Sequence, residues 1–202
     1  MRREGLLVDY GGVLTTDMFA SFRAFCELEG LDAETVGRRF REDRECQQLL
    51  IKLETGMLEE IDFERRFAAV LGVDDAQLID RLLALSGPDL DMLAAVRAAR
   101  AAGVRTGMVS NSWGTRRYDR ALLAELFDGV VISAEVGVRK PSPQIYQLGA
   151  ERIGLEPSAC VYVDDLAFNL APAAELGMAT VHHRQARETV AELERLLGIP
   201  MR

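Results

Sequence analysis

Short apolar runs, rich in valine and other residues that favour strands, recur along the chain, and longer stretches with helical periodicity separate most of them. The apolar runs cover residues 5–10, 104–110, 129–133, 160–164 and 178–182. Strands that alternate with helices in this way usually lie side by side in one direction. The pattern therefore predicts an α/β fold with a parallel sheet.

Residues 16–88 interrupt this alternation, because they carry helical patterns only, including one long segment near residues 33–53. A helical stretch of this length exceeds an ordinary crossover between neighbouring strands. It predicts an inserted helical domain, with residues 1–15 and 89–202 forming the core. Ligands of open α/β sheets bind at the carboxyl ends of the strands. Since the insertion follows the first strand, it is placed to cover such a site and exclude water.

Polar residues follow four of the predicted strands, near the point where each strand ends. They are Asp9, Ser110 with Asn111, Lys140 in the loop after the third strand, and Asp164 with Asp165. Taken singly, each is typical of a turn, a helix cap or a solvated loop. Because the carboxyl ends of parallel strands meet at one edge of a sheet, the fold brings all four segments together.

Three carboxylates gathered at this edge would repel one another and raise their own pKa values unless a cation joined them. An oxygen cluster of this kind suits Mg²⁺, which binds one or two carboxylates, keeps several waters and engages phosphate groups. Lys140 and the Ser110 hydroxyl supply a positive charge and a donor for a phosphoryl group. Gly11 and Gly12 let backbone amides approach that group closely. The pattern indicates phosphoryl transfer to an aspartate nucleophile.

Composition narrows the class of protein. The chain has 202 residues, 49% hydrophobic and 28% charged, which is ordinary for a soluble globular protein. Its net charge of -8 argues against a nucleic-acid partner, and no apolar run reaches the roughly 20 residues of a membrane span. Cys26, Cys46 and Cys160 show neither disulfide nor zinc spacing. We expect a cytoplasmic protein without a membrane partner, and the sequence leaves its oligomeric state open between monomer and homodimer.

Four sequence segments carry a resemblance to a known superfamily. They are VDYGGVL around Asp9, VSNS around Ser110, GVRKPSPQIY around Lys140, and VYVDDLAFNLAPAAELGM around Asp164 and Asp165. Together they resemble the four motifs of the haloacid dehalogenase-like (HAD) hydrolases, over nearly the whole chain. The chain is most similar to sugar-1-phosphate phosphatases, epoxide hydrolase N-terminal phosphatase domains and HAD domains attached to acyl-CoA dehydrogenase-like proteins. The resemblance implies a Rossmann-like core with a small helical C1-type cap.

The resemblance also implies a role for each matching residue. Asp9 would attack phosphorus and bind Mg²⁺, together with the backbone carbonyl of Gly11 and the carboxylate of Asp165. Asp164 would orient a metal-bound water, and Lys140 would steady the nucleophile. Four residues would contact the phosphoryl group: Gly12, Ser110, Asn111 and Lys140.

One position departs from the pattern of the superfamily. Most of its phosphatases carry an acid two residues after the nucleophile, which protonates the leaving group and later activates water, whereas this chain has Gly11. General acid–base help of this kind contributes about 10²- to 10⁴-fold. Asp17, Thr15, Thr16 or an acid of the cap could supply it instead, and a substrate with a good leaving group would need less of it.

The sequence therefore predicts a Mg²⁺-dependent phosphatase of a small phosphorylated metabolite, such as a sugar phosphate, that forms an aspartyl phosphate on Asp9. Two alternatives stay open. One is a non-catalytic HAD domain that binds a ligand or regulates a partner. The other is hydrolytic dehalogenation of a 2-haloacid, which needs neither a metal nor a second acid, although Asp164 and Asp165 argue against a metal-free site.

Overall fold

The structure of the chain, a computed structural model, describes residues 3–201. Five strands form one sheet: β1 (Gly5–Val8), β2 (Arg105–Ser110), β3 (Gly129–Ile132), β4 (Cys160–Asp164) and β5 (Ala179–His182). All neighbouring strands are parallel, in the order β3-β2-β1-β4-β5, so β1 lies at the centre. Each strand falls within its predicted run, and the predicted α/β fold with a parallel sheet is confirmed.

Within residues 16–88, all of which the structure describes, five helices and no strand lie between β1 and β2. The helices are α1 (Met18–Leu28), α2 (Thr35–Glu42), α3 (Arg44–Glu54), α4 (Glu60–Leu71) and α5 (Leu78–Leu82). The segment near residues 33–53 is two helices rather than one, because Asp43 separates them. Its extended backbone ends α2, and its carboxylate accepts hydrogen bonds from the N–H groups of Glu45 and Cys46 at the start of α3.

Six further α-helices follow: α6 (Leu90–Ala101), α7 (Arg120–Leu126), α8 (Ser133–Val136), α9 (Pro143–Arg152), α10 (Ala167–Glu175) and α11 (Ala186–Leu197). They cover both faces of the sheet. Leu6 and Val8 of β1 pack in one apolar cluster with α6 and α11, and Leu7 packs in another with α9. The central strand is therefore apolar on both sides, as parallel strands usually are.

The five helices of residues 16–88 share a separate apolar cluster, built around Phe22, Phe63, Phe67 and Leu78. Trp113, from the loop after β2, joins this cluster from outside. We call residues 16–88 the cap and the rest of the chain the core; the boundaries themselves stay a prediction. None of the helices in residues 3–201 combines the length and the apolar character that a bilayer crossing requires.

Two short segments connect the cap to the core, and they run beside each other. Thr15 and Pro88 form an isolated antiparallel bridge. The backbone N–H of Thr16 donates to the Gly87 carbonyl at 2.8 Å. We call this paired connection the neck. Because it begins only a few residues after Asp9, the cap emerges at the carboxyl edge of the sheet.

Candidate active site

The predicted strand-end residues lie together at the carboxyl edge of the sheet. Asp9 follows β1, and its N–H donates to the Val163 carbonyl of β4 at 2.9 Å, so the sheet pairing extends to this residue. Asp164 is the last residue of β4, and Lys140 reaches in from the loop between α8 and α9. Carboxylate oxygens of Asp9, Asp164 and Asp165 lie within 4.8 Å of one another. The sheet therefore gathers the three predicted acids and the lysine.

Lys140 joins two buried carboxylates at the centre of this group. Its Nζ lies 2.6 Å from Asp9 Oδ2 and 2.8 Å from Asp164 Oδ2, and its side chain is 1% exposed. Burial alone would lower the pKa of Lys140, but the two carboxylates outweigh burial and raise that pKa above its usual value. Lys140 is therefore a fixed cation that holds the carboxylate of Asp9 in place.

Asp164 is surrounded by donors from the protein. Besides Lys140, it accepts hydrogen bonds from the Tyr162 hydroxyl at 2.5 Å, the Leu166 N–H at 2.9 Å and the Asn169 side-chain amide at 3.0 Å. Burial opposes ionisation of this carboxyl, but these contacts, led by Lys140, lower its pKa. The four donors fill the positions that a carboxylate offers. In this structure Asp164 fixes Lys140, and its contact with a metal-bound water stays a prediction.

Asp9 and Asp165 have too little positive charge nearby to keep the pKa values of their carboxyl groups in the usual range. Burial raises the pKa of Asp9 well above its usual value; Lys140 opposes this rise, whereas Asp164 and Asp165 add to it. Burial and the charge of Asp164 likewise raise the pKa of Asp165 to about 6. A cation bound by Asp9 and Asp165 would stabilise both carboxylates in the ionised form, and oxygen donors of this kind suit Mg²⁺. The donor set therefore fits the predicted metal.

Gly12 makes a turn that only glycine fits. Its φ is +73°, a backbone conformation that other residues rarely adopt. A Cβ atom on Gly12 would lie 2.4 Å from Asp165 Oδ2. The N–H of Gly12 donates to the Thr15 hydroxyl at 3.1 Å. The turn after Asp9 is thus pressed against Asp165, and the phosphate contact of Gly12 stays a prediction.

Ser110 and Asn111 mark the end of β2, and both side chains have partners in the protein. The hydroxyls of Ser110 and Tyr118 are 2.8 Å apart. Asn111 binds the backbone of Lys140 twice: its Oδ1 accepts from the N–H at 2.8 Å, and its Nδ2 donates to the carbonyl at 3.2 Å. The Asn111 side chain therefore fixes the loop that presents Lys140. Phosphate contacts of Ser110 and Asn111 stay predictions.

The space beside Gly11, where the missing acid would stand, is filled by a side chain of the cap. A Cβ atom on Gly11 would lie 2.7 Å from the sulphur of Met18, the first residue of α1. Asp17, one candidate for the replacement acid, accepts a hydrogen bond from the Phe19 N–H at 2.8 Å and so caps α1. It also lies 3.4 Å from a guanidinium nitrogen of Arg23. Both contacts of the Asp17 carboxylate are therefore with residues of α1.

A cavity of about 400 Å³ lies between the cap and the carboxyl edge of the sheet. The predicted site residues in its wall are Asp9, Gly11, Asn111, Lys140 and Asp165. Three other predicted site residues, all within the described chain, do not line it: Gly12, Ser110 and Asp164. Among the described residues of the cap, Glu54 is the only acid in this wall. Glu54, rather than Asp17, thus shares the cavity with Asp9.

Glu54, the last residue of α3, is a buried acid that periodicity and motif spacing did not reveal. It is 5% exposed, and its Oε2 lies 2.5 Å from Nε of Arg139, the residue before Lys140. Burial raises the pKa of Glu54 to about 7, although Arg139 and Lys140 oppose this rise. One sequence feature near Glu54 is connected with its position, a glycine two residues later. Gly56 approaches α8 so closely that a Cβ would lie 2.4 Å from the Ala134 carbonyl oxygen. That close approach brings the end of α3 to the site.

Comparison with known proteins shows where the chain belongs. Residues 4–177 match the family model described as haloacid dehalogenase-like hydrolase. Bifunctional epoxide hydrolase 2 of Sus scrofa is 34% identical over 131 residues, which cover 61% of this chain and 24% of that protein. Glyceraldehyde 3-phosphate phosphatase of Methanopyrus kandleri is 31% identical over 112 residues, which cover 54% of this chain and 48% of that protein. The matches thus span less than half the length of either relative.

Solved structures share the fold. A HAD family enzyme from Bacteroides thetaiotaomicron, 21% identical in sequence, superposes with a TM-score of 0.71 and covers 91% of this chain and 95% of its own. The same enzyme in complex with magnesium and inorganic phosphate gives a TM-score of 0.66, covering 90% of this chain and 94% of its own. With a family model that matches residues 4–177 and a shared fold, the chain belongs to the haloacid dehalogenase-like hydrolases.

Proposed function

We propose that the chain is a Mg²⁺-dependent phosphatase that hydrolyses a small phosphorylated metabolite through an aspartyl phosphate on Asp9. The observation that carries the proposal is the contact of Lys140 with Asp9 and Asp164, beside a third carboxylate on Asp165. An oriented nucleophile, a fixed cation and oxygen donors for a metal then meet at one edge of the sheet. The name of the relative from Methanopyrus kandleri, a phosphatase, supports the same reaction.

The same proposal assigns residues 16–88 to a cap over the site and residues 1–15 and 89–202 to the core. The separate apolar cluster of the cap and its attachment through the paired neck support this division. A cap in this place excludes water from the reacting groups, which strengthens every electrostatic interaction among them.

Three groups would hold the Mg²⁺ ion: the carboxylates of Asp9 and Asp165 and the backbone carbonyl of Gly11. Bound there, the ion supplies positive charge to the phosphoryl group and to both carboxylates. Asp164 contributes through Lys140: it lies 2.8 Å from Lys140 Nζ, which in turn lies 2.6 Å from the nucleophile Asp9. Lys140 therefore provides a second positive charge, on the side of Asp9 that faces Asp164.

In the first step, a carboxylate oxygen of Asp9 attacks phosphorus, the bond from phosphorus to the ester oxygen breaks, and the alcohol leaves. Lys140, the Ser110 hydroxyl and the backbone N–H of Asn111 stabilise the charge on the phosphoryl oxygens. In the second step, water attacks the phosphorus of the aspartyl phosphate, which releases inorganic phosphate and restores Asp9. One proton must reach the leaving oxygen, and one must be taken from the attacking water.

Glu54 is the group assigned to both proton transfers. It lies in the cavity wall with Asp9, and a pKa of about 7 lets it donate a proton in one step and accept one in the next. Asp17 is bound to the start of α1 and does not line the cavity. A carboxyl from the cap thus takes the place of the acid that Gly11 lacks.

Phosphate release from phosphomonoesters, measured with and without Mg²⁺, tests the proposal. The wild-type protein should release phosphate only with the metal, and Asp9→Asn should lose at least about 10⁴-fold in kcat. Release of halide from a 2-haloacid without metal would overturn the phosphatase proposal. No release from any ester, with Mg²⁺ binding still detected by calorimetry, would instead support the non-catalytic alternative.

A further inference from the structure

The cavity above Asp9 has two unlike sides. The core side carries the carboxylates and Lys140. The facing wall is largely apolar and includes Phe19, Phe22, Phe40, Leu50, Trp113 and Phe168. These residues come from α1, α2, α3, α10 and the loop after β2. Several separate elements therefore contribute to one apolar surface, which continues directly from the phosphoryl site.

The aromatic side chains of this wall differ in their solvent exposure. The ring of Trp113 lies 5.4 Å from that of Phe22 and 5.6 Å from that of Phe40, between centroids, so these rings pack on one another. Phe19 and Phe168 are 36% and 60% exposed. Large apolar side chains exposed beside a cavity usually mark a binding surface. An apolar ligand group would cover both and rest against the packed rings.

The polar groups of the wall offer little to a hydroxylated ligand. Arg41 lies 3.5 Å from Glu34, and Glu54 lies 2.5 Å from Arg139. Among the described residues of this wall, three buried polar atoms have no hydrogen-bond partner: Glu54 Oε2, Arg139 Nε and Asn169 Oδ1. The first two form an ion pair with each other, and Asn169 Oδ1 has no partner of either kind. These polar groups lie at a few points of a wall that is otherwise apolar, whereas a sugar carries hydroxyls around its whole ring, and a buried hydroxyl without a partner is unfavourable. A sugar would therefore leave hydroxyls unsatisfied in this cavity.

We propose that the substrate is a phosphomonoester with an apolar organic group, an alkyl or aryl phosphate rather than a sugar phosphate. This inference rests on the proposed phosphatase function and names its substrate class. The phosphoryl group binds at Asp9 and Lys140, and the organic group lies against the aromatic side chains of the facing wall. Selectivity then follows from apolar contact, and the cost of burying hydroxyls excludes sugars.

Octyl phosphate and glucose 6-phosphate make the decisive pair of substrates, because both are esters of primary alcohols and differ little in leaving-group chemistry. With Mg²⁺ present, kcat/KM for octyl phosphate should exceed that for glucose 6-phosphate by about 100-fold. A ratio of octyl to glucose ester below tenfold would overturn the inference and leave the phosphatase function standing.

Binding to the Asp9→Asn protein, measured by calorimetry with Mg²⁺, separates the two proposals. Octyl phosphate should bind at least tenfold more tightly than glucose 6-phosphate. If this preference holds but the wild-type protein turns over no ester, the phosphatase function fails while the apolar site stands. If the two esters bind alike, the apolar site fails whatever the turnover.

Two exposed wall residues provide the mutational test. Phe168→Ala and Phe19→Ala should each lower kcat/KM for octyl phosphate by about tenfold, through lost apolar contact, and leave glucose 6-phosphate unchanged. Leu28→Ala is the matched control, because Leu28 is an exposed apolar residue of the same helix as Phe19 and lies outside the cavity wall. It should change neither ester. An equal loss on both esters in the two phenylalanine variants would contradict the assignment.

Discussion

The core side and the cap side of the cavity are held together by different forces. On the core side, charged groups contact one another directly, as Lys140 does with Asp9 and Asp164. On the cap side, the rings of Phe22 and Phe40 pack with that of Trp113, which comes from the loop after β2, without hydrogen bonds between them. Removing one member of a buried charge cluster leaves its partners unpaired, whereas an apolar wall tolerates changes of shape. The two proposals accordingly place the nucleophile and the metal ligands in the core and most of the apolar wall in the cap. Glu54 of the cap and Trp113 and Phe168 of the core cross this division.

The largest effect is expected where the core side loses its cation. Lys140→Met leaves the buried carboxylates of Asp9 and Asp164 without their shared partner. We expect a loss of about 3–5 kcal/mol in the free energy of unfolding. We also expect kcat to fall about 10²- to 10³-fold, through the lost charge at the phosphoryl oxygens. Urea unfolding and phosphate release measure the two losses.

Lys52→Met is the matched control for Lys140→Met. Lys52 is the other lysine of the chain, and it is exposed on α3 of the cap. Its substitution should change the free energy of unfolding by less than about 0.5 kcal/mol and leave kcat unaltered. Similar losses in both variants would show that the buried contacts of Lys140 have no special part.

A smaller effect is expected at Glu54, the acid that the cap contributes to the cavity. As a proton donor, Glu54 acts in its protonated form, which is lost above a pKa of about 7. The kcat for octyl phosphate should therefore fall as the pH rises through about 7. Glu54→Gln should lower kcat about 10²-fold at pH 6 and remove that fall. A variant that keeps the wild-type pH profile would show that the proton comes from elsewhere.

The stability of the Glu54→Gln protein offers a separate measurement. Burial raises the pKa of Glu54 from 4.5 to about 7, so the unfolded chain releases this proton at lower pH than the folded chain. Ionised Glu54 is thus unfavourable in the folded state, and the destabilisation grows as the pH rises from about 4.5 to about 7. Relative to wild type, the variant should gain unfolding free energy over that interval. Glu59→Gln, at an exposed position, is the control and should gain none.

The smallest effect is expected from two glycines, one in the core and one in the cap, that share a backbone conformation. Gly12 and Gly72 both have a φ of +73°, but a Cβ would meet Asp165 at Gly12 and nothing within 4 Å at Gly72. Substitution by alanine should cost about 1–2 kcal/mol of unfolding free energy at Gly72, and more at Gly12, where Asp165 must also move. Only Gly12→Ala should also lower kcat, about tenfold, by displacing Asp165. Equal kcat values in the two variants would mean that this close approach is not needed.

Much of the fold and the charged centre could be predicted because the relevant signals are local in the chain. Each strand is a short apolar run, and Asp9, Asp164 and Asp165 come directly at strand ends, so parallel pairing brings them together. Lys140 was predicted from its loop in the same way. Its contact with two carboxylates at once, however, depends on the exact path of that loop, which the Asn111 side chain holds.

The remaining features depend on contacts between distant segments. Glu54 reaches the cavity only because Gly56 lets the end of α3 approach α8, and periodicity within α3 carries no sign of that docking. The break at Asp43 was missed for another reason. A charged residue on an exposed helix face and a helix cap look alike in sequence, and only the hydrogen bonds to Glu45 and Cys46 distinguish them.

Met18 and Gly11 compete for one small volume, although one belongs to the first helix of the cap and the other to the turn after Asp9. Any side chain at position 11 displaces the Met18 sulphur, so the residue at one position limits which residues fit at the other. The substitution Gly11→Asp would restore the acid. Its side chain fits only when the Met18 side chain adopts another rotamer or is replaced by a shorter one. The choice of proton source in this chain is thus a property of a residue pair across the boundary between cap and core.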